Sequence, residues 1–255
     1  MNELQKIARQ RLLLMHYQSQ VGHIGSCLSC IDAILFLFNN WMNRNQDVFI
    51  LSKGHAAGAL YTALWSIDEA IEEDLMSFCK DGTKLAAHPE SQSFPSIEFS
   101  TGSLGHGLSL SAGVALGKKL AGESGHVYCL TSDGEWQEGA TWEALIFLTH
   151  HKLFNLTVLV DSNELQAFGT VKEVASMNDL KNKIASFGAT VLECDGHNFA
   201  AINSALDTPS LSPRVIILHT VKGKGVSFME NKIEWHYLTL NEDLLKRAQK
   251  DIAAL

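Results

Sequence analysis

At 255 residues, 46 % hydrophobic and 19 % charged, the chain has the size and composition of one large, well-buried globular domain. Its net charge of −8 excludes unaided nucleic-acid binding, which needs a basic face, and no run of about 18 apolar residues marks a membrane span. Five irregularly spaced cysteines form no disulfide framework, which points to a reducing, cytoplasmic setting.

In chain order, residues 3–20 read as an amphipathic helix rather than a leader. Further helices are predicted over 29–41 and 54–65, with a looser stretch from 80 to 100. Cys27-Leu28-Ser29-Cys30 matches C-x-x-C. It has no second pair and runs on into Ile31-Asp32-Ala33-Ile34-Leu35-Phe36, so it reads as small packing residues of a buried helix. A helical run rich in small residues, 109–120, opens the second part. There, strands predicted at 126–131, 155–161, 189–193 and 214–220 alternate with helices at 138–151, 178–187 and 198–206. Strands separated by helices of this length imply β-α-β crossovers, hence an α/β protein with a parallel sheet flanked by helices. The uninterrupted apolar runs Val158-Leu159-Val160 and Val215-Ile216-Ile217-Leu218 fit strands covered on both faces.

In such sheets ligands bind beyond the carboxyl ends of the strands. The residues there are Asp133-Gly134, Asp161-Ser162-Asn163, Asp195-Gly196-His197 and Lys222-Gly223-Lys224-Gly225. Each alone is ordinary turn chemistry. Asp133 and Asn163, however, are separated by about 30 positions, roughly one β-α-β unit, so both emerge on the same side. A carboxylate and an amide oxygen are hard ligands suited to Mg2+ or Ca2+, and Mg2+ completes its octahedron with water and phosphate oxygens. A diphosphate is the natural companion, with Gly134 leaving room for it. In Thr131-Ser132-Asp133-Gly134-Glu135-Trp136-Gln137-Glu138-Gly139, Asp133 is thus the expected metal ligand, Glu138 a neighbour of the site, and Glu135 solvated charge.

These residues resemble the thiamine-diphosphate-binding part of transketolases, whose motif is G-D-G followed one β-α-β unit later by N or N-N. Ser132-Asp133-Gly134 and Asp161-Ser162-Asn163 carry that resemblance, together with Gly22-His23-Ile24-Gly25, Ser52-Lys53-Gly54-His55-Ala56, His88-Pro89-Glu90 and Thr101-Gly102-Ser103-Leu104-Gly105-His106-Gly107. Lys222-Gly223-Lys224-Gly225-Val226-Ser227-Phe228-Met229-Glu230 and Glu234-Trp235-His236 complete it, so the likeness covers nearly the whole chain. It is strongest to the N-terminal subunit of a split transketolase.

The resemblance implies that 1–255 form one domain that binds thiamine diphosphate and Mg2+ (or Ca2+). Asp133, Asn163 and the main-chain carbonyl of Leu165 would hold the metal. Gly134 and Glu138 would lie along the diphosphate and cofactor, and Gly102, Ser103 and Leu104 would line the cofactor. His55 and His236 would contact the diphosphate end or the reaction zone. His23, His88 and His236 would meet the ketose, as imidazoles titrating near their usual pKa. His16, His126, His150 and His151 are expected to be structural or surface residues.

The pyrimidine-binding and C-terminal domains, and with them the glutamate that activates the cofactor, are expected on a partner subunit. The implied assembly is a hetero-oligomer built on a dimer, transferring a two-carbon ketol unit between sugar phosphates. The alternatives are the α subunit of another thiamine-diphosphate enzyme and an inactive cofactor-binding paralogue. The departures are Ser132 for the first Gly of the motif, Ile24 where many members have Pro, and Ser162 interrupting the asparagine pair. The serine is tolerable where its φ is negative.

Overall fold

A computed structural model describes residues 1–255 and shows one five-stranded sheet, parallel throughout. The strands are β1 (Val48–Leu51), β2 (Val127–Ser132), β3 (Leu156–Ser162), β4 (Thr190–Asp195) and β5 (Arg214–His219). They lie in the order β1-β2-β3-β5-β4. The helices are α1 (Glu3–Ser19), α2 (Ile24–Phe36), α3 (Ala57–Trp65), α4 (Glu72–Met76), α5 (Gly107–Ala121) and α6 (Gly139–His150), followed by α7 (Val171–Ala175), α8 (Leu180–Ser186), α9 (Phe199–Asp207) and α10 (Glu242–Ala253).

Side chains alternate across each strand, so the sheet feeds two cores. Phe49, Leu51, Leu130, Leu159 and Ile216 pack under α1, α2, α3, α9 and α10. Ile50, Cys129, Val158, Val160 and Ile217 pack under α5, α6 and α8. Burial on both faces explains the unbroken apolar runs. Ser132 pairs with Asp161 in the β2–β3 register, so these two strands end flush. That brings the residues following them to one edge.

β1 lies where the sequence reads as helices and loops. Its four residues, Val48-Phe49-Ile50-Leu51, are all apolar and all buried, so neither periodicity shows. Pairing with β2, far along the chain, is what makes it a strand. α2 begins at Ile24, earlier than expected, and continues through a π-helical turn, Leu37–Trp41. The combined stretch Ile24–Trp41 has the length and the mean hydropathy, 1.3, of a membrane span, yet 83 % of it is buried inside the fold. It is the central core helix. Cys27 and Cys30 sit within it as buried free thiols, and burial pushes the Cys27 thiol up to about 12, which leaves it a packing residue.

Candidate active site

The flush ends of β2 and β3 put Asp133 and Asn163 into one hydrogen-bond network. Asp133 Oδ1 accepts from the Gly134 N–H at 2.8 Å, and Oδ2 accepts from the Glu164 N–H at 2.6 Å. Asn163 Oδ1 accepts from the Leu165 N–H at 3.0 Å. The other end of that amide donates to Ser29 Oγ at 3.0 Å and to Asp161 Oδ2 at 3.2 Å, which fixes its orientation. Burial, and then the charge of Asp161, raise the Asp133 carboxyl to about 7. No cluster of three or more His, Cys, Asp or Glu side chains is arranged to hold a metal. A divalent cation here would depend on mixed oxygen donors, for which the Asp133 carboxylate, the Asn163 amide oxygen and the Leu165 carbonyl are the candidates. This donor set suits Mg2+ or Ca2+, and a buried carboxylate that resists ionisation is one that a cation would relieve. Gly134 is bare where a Cβ would come within 3.2 Å of Gln166 Nε2. Ser132 stands within β2 and is not among the positive-φ residues, so its side chain is accommodated without strain.

Beneath these groups lies a layer of buried charge that sequence reasoning missed. Asp161 pairs with Lys53, both essentially without solvent exposure, and accepts from Thr220 Oγ1 at 2.5 Å and Ser29 Oγ at 2.7 Å. Glu135, expected to be solvated, is 0 % exposed. It accepts the Ser52 hydroxyl, the Gly105 N–H at 3.0 Å and the Ser132 N–H at 2.9 Å. Lysines and glutamates read as surface residues in a sequence because burial without a partner is prohibitive. The partners here are distant in the chain. The available signal was that Lys53 stands inside one motif segment and Glu135 directly follows another.

Four histidines gather at the edge of the same site. His23 lies 5.0 Å from His236, 5.6 Å from His55 and 6.1 Å from His88 between ring centroids. His23 caps α2 with φ 70, a left-handed conformation unusual for a non-glycine residue, and its N–H donates to the His236 carbonyl at 2.8 Å. Gly102 has φ +142, and a Cβ there would come within 2.8 Å of His88 Cδ2, so this loop and the His88 ring fit only with glycine. Lys222 Nζ donates to the carbonyls of Leu165 at 3.1 Å and Gln166 at 3.0 Å, and meets His236 Nδ1 at 3.0 Å. Burial, and next the charge of Lys53, lower Lys222 to about 8.

His23, His55 and His236 do not titrate near the usual imidazole value. Burial, then neighbouring His88 and the lysines, lower His23 to about 4. Burial, then Lys222, lower His236 to about 3, and burial with Lys53 holds His55 well below 6.5. At neutral pH these three rings are neutral, each offering one donor and one acceptor.

A cavity of about 270 Å³ joins these parts. His55, Gly102, Leu104, Asp133, Gly134, Glu138, Asn163, Leu165 and His236 line it, as do Lys53, Lys222 and Gln166. Ser103 is exposed and lies outside its wall. His23 and His88 lie outside its wall, next to His55, His236 and Gly102, and both are half-buried. The other histidines are structural or peripheral: His16 is buried against the Val21 carbonyl, His126 meets Thr157 Oγ1 at 2.8 Å, and His150 packs on His151 at the end of α6.

Residues 4–253 match the family model described as "Transketolase, thiamine diphosphate binding domain". The chain belongs to the transketolase family. This transketolase chain is 34 % identical over 265 residues to one subunit of the apulose-4-phosphate transketolase of Actinobacillus succinogenes, covering 98 % of the chain and 96 % of its relative. It is also 34 % identical over 243 residues to one subunit of the 6-deoxy-6-sulfo-D-fructose transketolase of a Clostridium species, covering 91 % of the chain and 88 % of its relative. Transketolase of Campylobacter jejuni has the same fold, with a TM-score of 0.87 and 30 % identity; the match covers 99 % of this chain and 43 % of that longer one. The chain is thus a transferase of the transketolase family on a thiamine-diphosphate-binding fold.

Proposed function

We propose that this transketolase-family chain is the N-terminal subunit of a split transketolase, moving a two-carbon ketol unit between sugar phosphates together with a second subunit. The observation that carries this reading is that three hard oxygen donors and two neutral imidazoles, His55 and His236, line one cavity, with His23 beside them. Asp133, Asn163 and the Leu165 carbonyl would hold Mg2+ (or Ca2+), with Gly134, Gly102, Leu104, Glu138 and His55 around the cofactor. Ser103 is the weakest of the expected contacts, since it is turned out of the cavity. Thiamine diphosphate, when bound, supplies the electron sink for the two-carbon fragment.

The chain's own residues bind, orient and exchange protons. With Nδ1 taken by Lys222, His236 keeps Nε2–H as a donor for a substrate oxygen. His23 and His88 extend the donor and acceptor surface along the ketose. Lys53 and Lys222 place positive charge at the cavity wall, which favours an anionic cofactor. The Asp161–Lys53 pair and Ser29 hold Asn163 with its oxygen turned toward Leu165.

Relatives of matching length whose names make them single subunits of a transketolase support a two-chain enzyme. In it the pyrimidine-binding and C-terminal domains lie on the partner, in a hetero-oligomer built on a dimer. The names of two relatives carry a phosphorylated and a sulfonated ketose, which supports a substrate with an anionic tail. Five free cysteines fit a cytoplasmic setting. The test is ketol transfer from a ketose phosphate to an aldose phosphate, with thiamine diphosphate and Mg2+, by this chain co-purified with its candidate partner. Activity only in the presence of both chains is expected. Full activity of the chain alone would remove the split-subunit reading, and turnover of 2-oxoacids in place of ketoses would favour another thiamine-diphosphate enzyme.

A further inference from the structure

The Glu135 side chain neither lines the cavity nor bonds to any residue expected to coordinate metal, yet its carboxylate gathers three separate chain segments. Oε1 accepts the hydroxyl of Ser52, at the end of β1, and the N–H of Gly105, in the loop before α5. Oε2 accepts the N–H of Ser132, the last residue of β2. Its main-chain carbonyl accepts Thr141 Oγ1 at 2.7 Å, which adds the first turn of α6. Each segment continues directly into a wall of the cavity: Ser52 into Lys53 and His55, Gly105 back to Gly102 and Leu104, Ser132 into Asp133 and Gly134.

We infer that Glu135 is a positioning residue whose buried carboxylate sets the spacing of the three loops that form the diphosphate end of the thiamine-diphosphate pocket. This rests on the cofactor reading above. All three partners donate, so the carboxylate, which only accepts, is the matching group. An amide of the same shape cannot replace it. The Gly105 and Ser132 N–H groups sit on different oxygens of Glu135, so whichever way a glutamine turns, its NH2 faces one main-chain N–H and leaves it without an acceptor. Ser52 can rotate its hydroxyl and adapt; the two backbone groups cannot.

The sign of the effect separates positioning from simple electrostatics. Glu135→Gln deletes a buried negative charge close to where a diphosphate would lie. If charge alone mattered, cofactor affinity would rise. If Glu135 sets loop spacing, affinity falls, by about 10- to 100-fold, as for other groups that orient a site without touching the ligand.

The experiment is calorimetric titration of thiamine diphosphate, at fixed Mg2+, into the full chain co-purified with its partner, wild type against Glu135→Gln. Steady-state rates accompany it: KM for the cofactor is expected to rise at least tenfold, while KM for the ketose at saturating cofactor does not follow. An affinity that is unchanged within twofold, or tighter, overturns the role of Glu135. A wild-type complex that binds no thiamine diphosphate overturns the cofactor reading instead. Where the variant fails to fold, amide hydrogen exchange of the wild type decides. Gly105 N–H is expected to exchange as slowly as the strand amides, and exchange at the rate of the neighbouring exposed loop refutes the clamp.

Discussion

Nζ of Lys222 stands 3.0 Å from Nδ1 of His236. The same ammonium holds the carbonyls of Leu165 and Gln166, so a single side chain ties the expected metal loop to the expected reaction zone. Lys222→Met removes both the tether and a positive charge. Burial alone keeps His236 below its ordinary value, and Lys222 is the next largest cause of its depression. The His236 midpoint is therefore expected to move upward from about 3 without reaching 6.5, read from imidazole C–H resonances during a pH titration. Activity is expected to fall about 100-fold, the scale of a misplaced group near the chemistry. An unmoved midpoint would show that the lysine does not act on His236.

Asp133 gives the metal-free chain a distinctive pH response. Its carboxyl is raised from 3.8 to about 7 by burial and by Asp161. A folded value above the unfolded one means that the folded state holds its proton more tightly, so the metal-free fold loses stability as pH rises from about 4 through 7. A divalent cation must displace that proton. Mg2+ affinity is thus expected to rise about tenfold per pH unit between about pH 5 and 7 and to level above it. Calorimetry in buffers of different ionisation enthalpy should register close to one proton released at about pH 6 and almost none at about pH 8.5. Asp133→Asn should abolish both the metal binding and its pH slope.

The sequence made much of this legible, for reasons that can be named. β2 to β5 were found because helices separate them at regular intervals and their apolar runs end in turn residues. β1 was not, since four buried apolar residues carry no period and only contact with β2 defines them. Asp133, Gly134, Asn163 and the histidines could be singled out as candidates because they stand at strand ends or within family motifs. Glu135, Lys53 and Asp161 were not assigned roles, because their meaning lies in partners such as Ser52 and Ser29 that only the fold brings near. The neutral state of His23, His55 and His236 was equally out of reach. It follows from burial and from two lysines whose location no local pattern reveals.

Away from the cavity, Arg9 and Asp32 form the other fully buried ion pair. Two guanidinium nitrogens each lie 2.6 Å from a carboxylate oxygen, and Gln5 Nε2 and His197 Nδ1 complete the shell at 2.9 and 2.7 Å. Burial raises the Asp32 carboxyl, but the charge and hydrogen bonds of Arg9, with those of His197, outweigh it and bring the group to about 2. A depressed folded value contributes stability that is complete above the unfolded value near about 4 and disappears as pH falls through about 2. Asp32→Asn leaves Arg9 buried without a counter-charge, at a cost of about 3–5 kcal/mol. Urea unfolding at about pH 7 should show that loss, and the gap between variant and wild type should narrow in titrations carried toward about pH 2.

Gly102→Ala tests whether the loop before α5 and the histidine cluster are one unit. The φ of +142 is strained for any residue with a Cβ, and that atom would lie 2.8 Å from His88 Cδ2. Backbone strain of this kind costs about 1–3 kcal/mol. The less costly relief is for the His88 ring to swing away, because the neighbouring main chain is held by the Gly105–Glu135 hydrogen bond. His88 is expected to meet the ketose, so KM for the ketose should rise more than the affinity for thiamine diphosphate falls. Should the loop yield first, the order reverses and cofactor binding weakens most. Measuring both constants on the same preparation distinguishes the two. A variant that changes neither would mean that the contact between Gly102 and His88 has no bearing on the site.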